Sequence, residues 1–179
     1  RSLGLSERAY QHAVHYALER VQGVAPGVEG RAAIVHHGDV RRMLMIMRAQ
    51  TQAVRAVAYS TAVAYDYAHH ADDRAALQAK VDLLTPIVKA WSTEVAQEVT
   101  SLGVQVHGGM GFIEETGAAQ YMRDARITTI YEGTTGIQAN DFVGRKIARD
   151  GGAAISSLLD EIDTTINALC ASEDRKSVV

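Results

Sequence analysis

One pattern limits the fold of this chain more than any other. Between residues 77 and 106 apolar side chains recur at Leu77, Val81, Leu84, Val88, Trp91, Val95, Val99, Leu102 and Val106. Every step is three or four residues, which puts all nine on one face of an α-helix. A helix with so long an apolar seam is not stable alone in water, so the seam predicts other helices packed along it. Thr85-Pro86 falls inside the pattern. Either Thr85 caps a new helix with Pro86 at its first position, or Pro86 kinks one continuous helix.

The remaining segments supply the neighbours. Residues 3–22 carry Leu5, Ala9, Ala13, Tyr16, Ala17 and Val21 at helical spacing, and the glycines and proline of QGVAPGVEGR end that helix. Asp39 is placed to cap a second helix over 40–69, with Val40, Leu44, Met47, Val54, Val57 and Thr61 on one face. Asp72 is placed to cap the third helical region. GVQVHGGMGFIEETG, 103–117, reads as a loop or tight turn, and 118–125 as a short helix. A last bundle helix begins after Glu132 and runs to about residue 149. Thr135 and Gln138 have the spacing of a capping box at its start. Gly151-Gly152 reads as a hinge. Residues 153–170 read as an amphipathic segment with Ile155, Leu159, Ile162, Ile166 and Leu169 on one stripe, before a polar tail. No segment reads as a strand. The expected class is all-α, an up-and-down four-helix bundle.

Composition narrows the function classes. Aromatic residues make up 6% of the 179, so the core must come from Ala, Val, Leu, Ile and Met. A formal charge of −3 offers nothing to attract nucleic acid or anionic lipid. One cysteine, Cys170, rules out an internal disulfide framework and fits a reducing compartment. No apolar run approaches the roughly 20 residues of a membrane span. The opening RSLGLSERAY has no signal-peptide core and reads as the interior of a helix. The chain is therefore expected to be a piece of something longer.

Few motifs carry chemistry. Gly108-Gly109-Met110-Gly111 does not continue into a dinucleotide fingerprint, because Glu114 stands three residues after Gly111 and no strand precedes it. It is either a tight interhelical turn or a place where a ligand approaches the backbone closely. His12 and His15, His36-His37 and His69-His70 read as exposed or capping. No glutamate has a histidine three residues later, as a di-iron bundle needs, and no metal site is expected. Arg123, Asp124 and Arg126 read as a surface or interhelical ion-pair group. Glu132 is a lone carboxylate between an apolar run and a helix start. It is either a solvated turn acid or, in a partly desolvated cleft, a general base.

VQVHGGMGF at 104–112, RDARIT at 123–128 and IYEGTTGIQ at 130–138 occur in this order and at these distances, with ALER at 17–20 before them. In that combination the chain resembles the C-terminal helical domain of acyl-CoA dehydrogenases, over about residues 1–149. The stretch from Gly23 to Leu44 departs from the commoner members, which have a short turn there. It looks like that of the large bacterial subgroup, whose members carry an additional C-terminal segment. Residues 150–179 would be a hinge and the start of that segment.

The resemblance implies an oxidoreductase and assigns positions. Glu132 matches the catalytic base, which takes the α-proton of an acyl-CoA thioester while the β-hydrogen leaves as hydride to N5 of FAD. Tyr131 and Gly133 would border the thioester. Thr134 matches a position that touches FAD, and Arg20 an arginine that reaches FAD across a subunit interface. Gln105, Gly108 and Gly109 match the adenine-side contact, also across the dimer, and Gln22 lies where a further FAD contact falls. Gly136 replaces a polar residue often found there. The family's other two domains, which hold the flavin ring and the acyl chain, are not in these residues. The resemblance thus implies a fragment inactive alone, from a cytoplasmic bacterial enzyme. That enzyme would be a homodimer or homotetramer that passes electrons to an electron-transfer flavoprotein. Two other functions stand beside this one: a same-fold flavoprotein that serves another partner such as DNA, and a helical oligomerisation module.

Overall fold

The computed structural model describes residues 1–70 and 74–171. The described residues are helical, with one isolated antiparallel bridge between Val21 and Ala33 as the only β-pairing among them. The helices are α1 (Ser2–Glu19), α2 (Gly38–Ala68), α3 (Arg74–His107), α4 (Gly109–Phe112), α5 (Ala118–Thr128), α6 (Thr135–Asp141) and α7 (Ala153–Ala171). The all-α expectation is met.

The long helix α3 is the centre, and α1, α2, α5 and α6 all pack on it. Its seam is buried at Val81, Leu84, Val95, Val99 and Val106. Each such side chain contributes roughly 1.5–3 kcal/mol when fully removed from water. Trp91, also on the predicted seam, is instead exposed. The face of α1 that meets α3 is made of small residues: Ser2, Ser6, Ala9, Ala13 and Ala17 are buried, while Leu5 is half-buried. Gly103 on α3 completes the fit. A Cβ there would lie 3.5 Å from Met47 Cε and 3.7 Å from Ala9 Cβ, so three helices meet at this point.

Thr85-Pro86 does not divide α3. Pro86 lies inside one continuous helix and is fully buried. Pro86 supplies no N–H to its own turn, and Thr85 adds a bond there by donating its hydroxyl to the Val81 carbonyl at 2.7 Å. Thr100 on α3 and Thr61 on α2 bond their own helices in the same way, at 2.6 and 2.8 Å. Thr61 and Thr100 are thus buried with their hydroxyls partnered.

Several helix boundaries differ from the sequence expectations. The N-cap of α2 is His37, with no side-chain cap bond. Asp39 sits in the first turn and pairs with Arg42 at 2.8 Å, so a near side-chain cation takes the oxygen that would have capped. The glycine-dense stretch is mostly helical. α3 runs through His107, and α4 and a 3-10 turn over Glu114–Thr116 follow at once. The helix after Glu132 changes winding, to a π-helical segment over Phe142–Ile147 and a 3-10 turn over Ala148–Asp150. The predicted cap at Asp72 lies outside the described residues.

Gly151 and Gly152 form a turn before α7, with both glycines at positive φ. Asp150 caps the start of α7, accepting from the Gly152 and Ala154 amides at 2.9 Å each. The expected stripe on α7 is not buried. Ala154, Leu158 and Glu161 face α3, whereas Leu159, Ile162, Ile166 and Leu169 lie on the exposed side. Among the described residues no helix is long and apolar enough to cross a membrane.

The packing separates two methionines two residues apart. Met47 is 0% exposed and Met45 is 69% exposed. Met47→Ala is expected to cost about 2–5 kcal/mol, through lost burial and the cavity it leaves. Met45→Ala should change stability by less than about 0.5 kcal/mol. Urea unfolding of the two variants checks the contrast.

Candidate active site

Glu132 occupies a strained turn between α5 and α6. Its φ is +54°, and it is the single non-glycine residue among the described residues with a positive φ. An L-residue held there meets a steric cost of roughly 1–2 kcal/mol. Gly133 follows at φ +89°, where the absence of a Cβ removes that cost. Such a conformation persists only where its surroundings over-determine it. Lys89 of α3 donates its ammonium to the Thr128 carbonyl at 3.1 Å and to the Gly133 carbonyl. Gln138 Nε2 donates to the Glu132 carbonyl at 3.4 Å. Thr135 Oγ1 donates to Glu94 Oε1 on α3 at 2.6 Å.

The cap of α6 is one residue earlier than the sequence spacing suggested. Thr134 is the N-cap, and its Oγ1 accepts the Ile137 N–H at 3.3 Å. Thr135 is committed to Glu94, and Gln138 reaches back to Glu132 rather than closing a box with Thr135. The correction has a local cause. The two positive-φ residues turn the chain so that Thr134, in extended backbone, is the first residue aimed at the free amides of α6.

This turn closes one side of a cleft of about 600 Å³ between α2 and α3. Tyr131, Glu132, Lys89, Ser92, Thr85 and Thr61 are among its lining residues. Glu132 is exposed at the rim and Tyr131 is half-buried. The Arg1 guanidinium lies 5.8 Å from the Tyr131 ring centroid.

A second, separate cleft of about 330 Å³ opens where α1 ends. Tyr16, Arg20, Gln22, His37, His107 and Gly108 line it. The chain leaves α1 in extended backbone at Arg20. The Val21–Ala33 bridge then folds the loop back, with Gln22 N–H donating to Ala32 O at 2.9 Å and Ile34 N–H to Arg20 O at 2.8 Å. Arg20 Nη2 donates to Gln22 Oε1 at 3.4 Å, and His37 Nε2 donates to the Gln22 carbonyl at 2.7 Å. On the far wall Gly108 ends α3 with φ +60°. Gly111 is needed by the chain itself, since a Cβ there would sit 2.8 Å from His107 Cβ and closer still to the Val104 carbonyl.

His107 is buried at the back of this cleft. Its Nδ1 donates to the Gly103 carbonyl at 2.7 Å, which leaves Nε2 as an acceptor, and that atom is buried with no partner. Its ring stacks on Tyr16 at 4.3 Å and lies 4.6 Å from the His12 ring. Burial lowers the pKa of both histidines. For His12 desolvation is the larger cause, and the neighbouring His107, His15 and Arg8 charges add to it. His12 is therefore a packed residue against His107 and Tyr121, not an exposed or capping one.

The structure thus gathers the sequence-predicted residues into two groups. Tyr131, Glu132, Gly133 and Thr134 form the strained turn. Arg20, Gln22 and Gly108 meet in the second cleft, whereas Gln105, near the end of α3, and Gly109, the first residue of α4, are exposed and outside its lining. Sequence reasoning missed Lys89, Glu94 and the partnerless His107. Lys89 lies 43 residues before Glu132, and no local spacing rule links a seam-flanking lysine to a distant turn. His107 lies within VQVHGGMGF, but its burial depends on α1.

The family model for the acyl-CoA dehydrogenase C-terminal domain matches residues 1–147. The chain is 51% identical over 169 residues to a 3-methylmercaptopropionyl-CoA dehydrogenase of Ruegeria pomeroyi, covering 92% of this chain and 29% of that protein. It is 36% identical to a broad-specificity linear acyl-CoA dehydrogenase of Mycobacterium tuberculosis, covering 94% of this chain and again 29% of the relative. The chain therefore spans under a third of the length of these relatives. Among solved structures it matches butyryl-CoA dehydrogenase from Megasphaera elsdenii with a TM-score of 0.67 and 31% identity, over 80% of this chain and 33% of that one.

The two buried histidines set a pH dependence with a definite sign. Their folded pKa values lie below the ordinary value of 6.5, so the unfolded chain binds protons that the folded chain refuses. Their contribution to stability is present above about pH 6.5 and is lost as pH falls through the lower, folded values. Thermal melts between pH 7 and 5 should show a falling Tm. His107→Gln should flatten that slope while lowering Tm at pH 7.

Proposed function

The chain belongs to the acyl-CoA dehydrogenase family, of which it carries the C-terminal helical domain; from that premise we propose that Glu132 is the general base of an α,β-dehydrogenation of acyl-CoA thioesters. The observation that carries this reading is the strained turn. Glu132 stands at φ +54° beside a cleft of about 600 Å³, and bonds from α3 and α6 to the carbonyls of Gly133 and Glu132 hold the backbone that carries its carboxylate. Strained backbone held in this way clusters at active sites and ligand clamps.

In this reading Glu132 takes the proton from the α-carbon of the thioester. Tyr131 and Gly133 border the thioester and help exclude water. Removing water strengthens the interaction of the base with that proton. Glu132 is exposed in these residues, so its desolvation falls to the further domains of a full-length protein and to the substrate. When bound, FAD supplies the two-electron acceptor for the β-hydrogen.

The residues of the second cleft fit the diphosphate and adenine end of such a cofactor. Arg20 is a cation for phosphate oxygens, and Gly108 offers backbone without a Cβ. Gln22, Gln105 and Gly109 border that group. The cleft holds only part of a dinucleotide and lies apart from the Glu132 turn, which agrees with a cofactor bound across two subunits. Thr134 uses its oxygen as a cap and keeps its hydroxyl proton free to donate to the flavin.

A homodimer or homotetramer has support in the exposed Tyr59, Val63 and Tyr67 of α2. We read acyl-CoA and an electron-transfer flavoprotein as substrate and partner, and 1–149 as the domain proper. The exposed apolar side of α7 supports reading 150–179 as the start of a further segment.

In the full-length protein Glu132→Gln should abolish flavin reduction by acyl-CoA while leaving FAD bound. Anaerobic stopped-flow absorbance measures both, and a near-normal reduction rate would reject Glu132 as the base. The 179-residue chain alone is expected to show no acyl-CoA-dependent dye reduction. Robust turnover by it would refute the need for the further domains.

A further inference from the structure

The geometry points to Lys89 as the positioning residue of the catalytic base. The inference rests on the reading of Glu132 given above. Lys89 sits on α3, a helix held on several sides by the core, and it reaches across to the strained turn. Its ammonium donates to two peptide oxygens, those of Thr128 and Gly133. Thr128 is the last residue of α5, where a cation also suits the negative end of the helix dipole. Gly133 is the residue that directly follows Glu132. One side chain thereby ties the end of α5, the flank of α6 and the middle of α3 to a common point.

Other bonds at the turn cannot replace it. Gln138 reaches the Glu132 carbonyl at 3.4 Å from α6, an element that must itself be held in place. The Thr135–Glu94 bond fixes α6 to α3 but lies on the far side of the positive-φ pair. Lys89 makes the direct link from the rigid core to the peptide adjoining Glu132. Among the described residues no carboxylate ion-pairs with Lys89, so its charge is directed to these carbonyls. Lys89 also lines the same cleft as Glu132. Without it the turn can relax toward negative φ and carry the carboxylate off its line to the α-proton.

The test uses the full-length flavin-loaded protein. Lys89→Met keeps the length and apolar stem but removes the donors. We expect kcat to fall by about 10- to 100-fold, as a displacement of the base of about 1 Å would produce. KM and bound flavin should stay within about twofold, and the isotope effect from α-deuterated acyl-CoA should rise as proton abstraction becomes slower. Lys89→Arg, which keeps donors in reach of both carbonyls, should recover kcat to within about threefold. A Lys89→Met enzyme with normal kcat and an unchanged isotope effect would overturn the inference. So would a parallel loss of flavin and kcat with no recovery in Lys89→Arg, which would mark a purely structural role. If Lys89→Met does not retain flavin, Lys89→Gln, with one shorter donor, is held to the same two criteria. Glu132→Gln in parallel separates the claims. Full activity there removes the base itself, whereas an inactive Glu132→Gln beside a fully active Lys89→Met removes only Lys89.

Discussion

The close approach of α1 and α2 to α3 is the contact from which the other features of the molecule follow. Ser2, Ser6, Ala9, Ala13 and Ala17 form a small-residue face on α1, and Gly103 receives Met47 and Ala9 from two sides. Small side chains allow near axes, and near axes let the larger residues Met47, Leu83 and Val99 be buried completely. A packed interior of this kind gives α3 a fixed position. The turn that carries Glu132 takes its geometry from α3, through Lys89 and Glu94.

That arrangement divides the work between a rigid scaffold and a strained attachment. The cost of a glutamate at positive φ is on the order of 1–2 kcal/mol, small against the burial along α3. It is tolerable because the core does not depend on it. The second cleft is built by a different device. There the backbone bridge Val21–Ala33 and the end of α3 at Gly108 bring Arg20, Gln22 and His107 together. The two groups both border α3 but lie in separate clefts.

Much of the scaffold was legible because helical burial repeats in register with sequence. The seam from Val81 to Val106, the break at 22–31 and the turn at Gly151-Gly152 are each local signals read from spacing or from glycine. Boundaries were less legible. Asp39 and Thr135 have good capping chemistry, but Arg42 and Glu94 claim their side chains. A cap depends on which partner is nearer, and that is a matter of geometry. Trp91 and the α7 stripe have the right periodicity and still face outward, because periodicity marks an apolar face without saying whether a neighbour covers it.

From the order of residues alone came the helical class, the apolar seam of α3, and the placement of Glu132 before a helix start. These follow from rules that act within a few turns: propensity, periodicity and the conformational freedom of glycine. Tertiary structure decided the rest. It set the positive φ of Glu132, buried His107 with one nitrogen unpartnered, and carried the Lys89 ammonium across to a peptide 44 residues later. Each depends on contacts between segments far apart in the chain, and their distances are fixed only once the helices have packed.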